Sequence, residues 1–169
     1  MPIEPKPEPV SCDSRAVAPR VPQSAACRMV ASLLLALLPA VALCLLHAPV
    51  YATPPDDFVQ ELFARCQFQA AASSLMPYTL VFVSAPLSAL YQLVPQVPWY
   101  ALMLLAMLVV SFWIAWSQLL SLGLSRARLV CLGAVLLSCE IVCVWYFTYT
   151  IVAFIVLAAG LMLIMPRAV

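Results

Sequence analysis

The chain holds eight basic and seven acidic side chains among 169 residues, so any charge in an apolar setting stands out. Asp56 and Asp57 are adjacent, and a carboxylate at a membrane surface can deprotonate a hydroxyl or hold a divalent cation. The same pair also follows Thr53-Pro54-Pro55. Thr53 can cap a helix and Pro54 fits its first position, so acids in that first turn would complement the helix dipole without any catalytic role. Glu140 is the single charged residue before Arg167 in the last apolar run, Leu129 to Met165. A carboxyl in hydrocarbon is costly when ionised and by default marks function; the structural alternative is a hydrogen bond to a Ser or Tyr on a neighbouring helix. Cys139 and Cys143 share a helical face near it, but the set lacks His and CxxC spacing, so no metal site is expected there. His47 reads as a polar residue at the membrane interface, within a turn or two of the acids. Arg65 can meet a phosphate or pair with Glu61 one turn back. Trp113 and Trp116, spaced i and i+3, read as packing rather than a sugar platform.

The elements that must position these residues are set by composition. Hydrophobic residues make up 66% and charged residues 9%, with a mean hydropathy of +1.06. A soluble domain is nearer half apolar and a quarter charged, so this one is expected to lie in a lipid bilayer. From Cys66 to Ser125 there is no Asp, Glu, Lys or Arg. The net charge of +1 gives no footprint for nucleic acid. The cysteines number seven, four of them (Cys44, Cys131, Cys139, Cys143) inside apolar runs. They read as small hydrophobes rather than a disulfide or zinc framework.

Residues 1–28 carry six of the fifteen prolines with mixed charge and no apolar period, which predicts a disordered head. The fold expected for 29–169 is all-α and polytopic. The first span is 29–52, containing Pro39. Val50-Tyr51-Ala52 resembles a signal-peptidase site, but the long basic lead and long apolar run favour an uncleaved anchor. An amphipathic helix follows over 54–74, with Phe58, Val59, Leu62, Phe63 and Cys66 on one face. The segment 75–94 carries Pro77 and Pro86 and ends in Pro95-Gln96-Val97-Pro98, which breaks a helix. The next span is 99–122, anchored by Trp99 and Tyr100. The last run of 37 residues would make about 55 Å of helix, too long for one ~30 Å crossing. It divides best into spans 129–147 and 150–165, turning near Trp145 to Tyr149.

Charge then selects the topology. If all five apolar segments crossed, Arg126 and Arg128 would lie opposite Arg28. If 75–94 instead re-enters or lies at the interface, Arg15, Arg20, Arg28, Arg126, Arg128 and Arg167 are all inside and Arg65 alone is outside. The positive-inside rule favours the second arrangement: four spans plus one re-entrant or interfacial segment, in the cell membrane with the N-terminus cytoplasmic. Broken backbone at that depth is allowed where protein covers it.

The acid pair beyond the first span, the short outer helix, and then Ala89-Leu90-Tyr91-Gln92-Leu93-Val94-Pro95-Gln96-Val97-Pro98-Trp99-Tyr100 together resemble a family of large bacterial polytopic membrane proteins. Phe147-Thr148, Ala153 and Ala159-Gly160 extend the likeness. The layout is similar to that of GT-C-type glycosyltransferases, which use lipid-linked sugar donors. The likeness covers roughly 40–165 and is most specific at Leu90–Tyr100. Pro55 stands where relatives have Asn, and Ala70-Ala71-Ala72-Ser73-Ser74 replaces their Ser-Gly…Gly stretch. The resemblance implies Asp56 and Asp57 as catalytic residues, Arg65, Tyr91 and Trp99 in substrate binding, a polyprenyl-phosphate sugar as ligand, and a divalent cation as a candidate cofactor. Because such proteins have many more spans, it also implies the N-terminal portion of one, not active as this chain alone.

Two readings therefore stand side by side. One is the membrane portion of an enzyme in cell-envelope glycan assembly. The other is a small non-catalytic membrane subunit, scaffold or decayed fragment that works with other membrane subunits. A small transporter fits less well, because no internal repeat is visible.

Overall fold

In a bilayer, backbone polar groups must be satisfied within the protein, so apolar crossing segments have to be helical. The computed structural model describes residues 24–47, 54–65 and 81–164. Among these residues the chain forms six helices and no strand: α1 (Ala25–His47), α2 (Pro54–Ala64), α3 (Val81–Leu93), α4 (Trp99–Ser121), α5 (Arg126–Trp145) and α6 (Tyr149–Ile164).

Helix edges depart by a few residues from the margins of the apolar runs. Ser24 Oγ accepts the Cys27 N–H at 3.2 Å, so α1 starts four residues ahead of the expected Met29 and takes the end of the supposed head into its first turn. Residues 1–23, the remainder of that head, and 48–52, the end of the first expected span, lie outside the described residues. α5 begins at Arg126 instead of Leu129 without a side-chain cap: Ser125 is extended and its carbonyl accepts the Leu129 N–H at 2.9 Å. The α5–α6 turn falls at Tyr146–Thr148, where Thr148 Oγ1 accepts the Ile151 N–H at 3.2 Å and caps α6. Of the amphipathic helix expected over 54–74, α2 and a turn at Arg65 are described; 66–74 lie outside, as do 75–80.

Among the described residues three helices are long and apolar enough to cross a membrane: α1 and α4 with 23 residues each and α5 with 20. The expected fourth span is shorter, since the 16 residues of α6 rise about 24 Å. α3 has 13 residues with Pro86 inside and rises about 20 Å.

α4 is the hub. It packs most extensively on α1 and α6 and also touches α5 and α3. Against it α1 turns a stripe of small residues: Ser32, Ala36 and Ala40, all 2% exposed or less. Most leucines of α1 point away, with Leu34, Leu38, Leu45 and Leu46 exposed, while Leu43 packs on the core. In water this distribution would be inverted. In lipid, burying Leu gains little, whereas small side chains at i, i+4 and i+8 let two backbones approach. Gly133 of α5 serves the same end, because a Cβ there would sit 3.3 Å from the Trp116 ring.

Ala25, Arg28 and Met29 in the first turns of α1 line one cleft with Ser117 and Ser121 near the end of α4. The two helices are therefore antiparallel. The α4–α5 loop, where Gly123 takes φ 59°, emerges at that same end, beside Arg126 and Arg128. The end of α1 and the start of α4 consequently lie at the opposite end of the bundle.

Candidate functional site

That opposite end gathers the polar and aromatic residues of α2, α3, α4 and α6. Gln60 of α2 is 3% exposed, Tyr91 of α3 is 3% and Tyr100 of α4 is 1%. Tyr100 binds both neighbours: its Oη donates to Gln60 Oε1 at 3.1 Å, and its backbone N–H donates to Tyr91 Oη at 2.9 Å. The latter is one of the N–H groups that a helix start leaves without an intrahelical partner. Trp99 Nε1 donates to the Val94 carbonyl at 3.0 Å, closing the Pro95–Pro98 turn onto α4. Trp99 is thus a structural clasp.

Arg65 lies against the same cluster. Its Nε and Nη2 donate to Glu61 Oε1 at 2.9 and 2.6 Å, and its guanidinium stands 5.4 Å from the centre of the Tyr91 ring. Burial alone would lower the Arg65 pKa, but hydrogen bonding to and attraction by Glu61 outweigh it and leave the group above its ordinary value. Burial pushes the Tyr91 phenol up. Of the two options that the sequence leaves for Arg65, the structure shows the Glu61 pair. Asp56 and Asp57 lie in the first turn of α2, and His47 closes α1 at this end of the bundle. The side chains of all three are outside the described set.

Below the cluster an apolar groove of about 420 Å³ runs between α3, α4 and α6. Gln60, Tyr100 and Tyr149 are at its polar end, and Met103, Met107 and Val156 lie deeper. A second groove of about 380 Å³, on the other flank of α3, is lined by Pro86, Leu87, Leu90, Trp99 and Leu102. Val83 and Met103 border both.

Glu140 lies elsewhere, between α5 and α4, and is 1% exposed. Its Oε2 accepts the Trp116 indole N–H at 3.2 Å, and its Oε1 has no hydrogen-bond partner among the described residues. The expected Ser or Tyr partner is thus replaced by a tryptophan. Trp113, one turn before Trp116, donates to Ser32 Oγ on α1 at 3.1 Å. The two indoles staple α4 to neighbours on either side. The signal was available, because an indole N–H is a donor only and in lipid must find an acceptor. Among the described residues no three of His, Cys, Asp and Glu converge as a metal site would require.

No protein-family model matches this chain, and neither does any characterised protein or solved structure with which it was compared.

Proposed function

We propose that this chain is an integral membrane protein that seats a polyprenyl-type lipid-linked substrate, as the N-terminal membrane portion of a GT-C-like glycosyltransferase. The observation carrying the proposal is the groove of about 420 Å³, open along membrane-embedded helices and ended by Gln60, Tyr100 and Tyr149. An isoprenoid chain needs an apolar slot at membrane depth, and its phosphate and sugar need polar groups at the interface. α2, which carries Asp56 and Asp57, contributes Gln60 to that polar end. In this reading an aspartate takes the proton of the acceptor hydroxyl as the sugar leaves the lipid phosphate. A base role fits better than a cation shared with Glu61, whose Oε1 Arg65 already holds.

The topology that goes with the proposal is four crossings, the last made by the short α6, with 75–94 re-entering and Arg28, Arg126 and Arg128 cytoplasmic. Single-cysteine labelling in a background without the native cysteines tests it: Gln96→Cys should react with an impermeant reagent from outside and Ser125→Cys should not. The opposite pattern would remove the acid pair from the outer face.

The decisive experiment is photo-cross-linking of a polyprenyl-phosphate sugar bearing a photoactivatable tail, in membranes containing the full chain. Adducts should concentrate on α4 near Met103 and Met107 and on α6 near Val156. Adducts spread evenly over the outward side of α5 would defeat the reading. The alternative, a non-catalytic subunit or scaffold, draws on the mutual neutralisation of Glu61 and Arg65 at 2.6 Å. It predicts that Asp56→Asn and Asp57→Asn leave sugar transfer by the assembled membrane system unchanged.

A further inference from the structure

The basic end of the bundle holds a cleft that the groove does not explain. It encloses about 450 Å³ between the first turns of α1 and the last turns of α4, and Arg28, Trp113, Ser117 and Ser121 line it with Met29 and Ile114. Arg28 is partly buried and has no ion-pair partner among the described residues. The acids of the described helices stand elsewhere: Asp56, Asp57 and Glu61 on α2, and Glu140 in the last third of α5. Arg126 and Arg128 stand exposed at the same end as Arg28. An isolated guanidinium at a membrane surface is a phosphate ligand in geometry and charge, and basic pockets between membrane helices bind anionic headgroups.

The serines narrow the ligand. Ser117 Oγ donates to the Ile114 carbonyl at 2.8 Å, and Ser121 Oγ donates to the Gln118 carbonyl at 2.7 Å. Each hydroxyl proton is engaged on its own helix, so each oxygen presents lone pairs to the cleft. A headgroup that fits has an anionic phosphate for Arg28 and hydrogen-bond donors beyond it for the serines. The Trp113 ring, tied back by Ser32, offers an amphipathic wall of the cleft one turn before Ser117.

We propose that this cleft is a binding site for an anionic phospholipid with a hydroxylated headgroup, of which phosphatidylglycerol is the simplest probe. The site is independent of the groove at the opposite end, and its test does not require any transferase activity.

Native mass spectrometry of the full chain, released from detergent with defined lipids, reads the site directly. Phosphatidylglycerol should be retained over phosphatidylcholine, and also over phosphatidylmethanol, which has the same charge without the hydroxyls. Arg28→Gln should lower phosphatidylglycerol retention about tenfold, the scale of one charge-assisted contact, while Arg28→Lys keeps part of it. Arg126→Gln or Arg128→Gln should each cost no more than about fivefold, as a general surface charge does. Ser117→Ala with Ser121→Ala should erase the preference over phosphatidylmethanol and leave the charge preference intact; circular dichroism confirms that each variant is folded. Equal losses from all three arginines would overturn the site in favour of diffuse attraction. Displacement of the lipid by millimolar glycerol phosphate would overturn the lipid assignment and make the ligand a soluble phosphate ester.

Discussion

α4 has two unlike sides. Toward α1 it meets Ser32, Ala36 and Ala40, each nearly inaccessible, with a tryptophan bonded across the contact. Toward α3 it leaves grooves of about 380 and 420 Å³ and makes far less contact. Small residues at one-turn spacing allow helices to close on each other in lipid. α3 offers no such stripe of comparable length, is only 13 residues long and carries Pro86, so it cannot lie flush. The α1 side is closed and the α3 side is open, and polar groups cluster at the mouth of the open side.

The strongest way to break this contrast is to widen the tight side. Ala36→Leu places a branched side chain where 0% of the native residue is exposed, and overpacking of this kind costs about 1–3 kcal/mol or more. Detergent-resistant folding, followed by thermal circular dichroism, should fall accordingly; an unchanged midpoint would mean that the α1–α4 contact is loose after all.

Next is the α4–α5 staple. Trp116→Phe removes the indole N–H that donates to Glu140 Oε2, and leaving a buried acceptor without its donor costs about 1–3 kcal/mol. Glu140→Gln preserves an acceptor oxygen and should cost well under that. If the glutamine variant were the worse of the two, an ion pair would have to be sought for the carboxylate.

Tyr100→Phe acts at the mouth of the groove. It deletes one hydrogen bond to Gln60 and should reduce stability by about 1 kcal/mol, while loosening α2 as seen in faster proteolysis near Arg65. Val83→Phe is the mildest for the fold. The residue borders both grooves, so added volume enters open space and stability should change by about 0.5 kcal/mol or less. Cross-linking of a polyprenyl probe should nonetheless drop severalfold, and retention of full cross-linking would separate the groove from lipid binding.

Much of this molecule is written locally. Apolar run length identified α4, and the 37-residue run from Leu129 divides where Trp145 to Tyr149 gather, as the α5–α6 turn shows. Pro54 and the acids behind it start α2. The edges that differ, Ala25 and Arg126, do so because helix starts obey capping and turn geometry a few residues upstream of the hydrocarbon-compatible stretch. Spacing also marked Glu140 as the carboxyl needing an explanation.

Partner choice was not local. Arg65 had an acid one turn away and an aromatic ring 26 positions later, and it uses both; only the docking of α2 on α3 brings Tyr91 within 5.4 Å. Glu140 could bond to any hydroxyl or N–H on a neighbouring helix, and it is the antiparallel run of α5 beside α4, with Gly133 admitting the indole, that selects Trp116. Residue types and periods determine which segments enter the bilayer and which groups there need partners. Helix direction and close approach decide who those partners are, because in lipid a polar group is satisfied only by what the packing brings within about 3 Å.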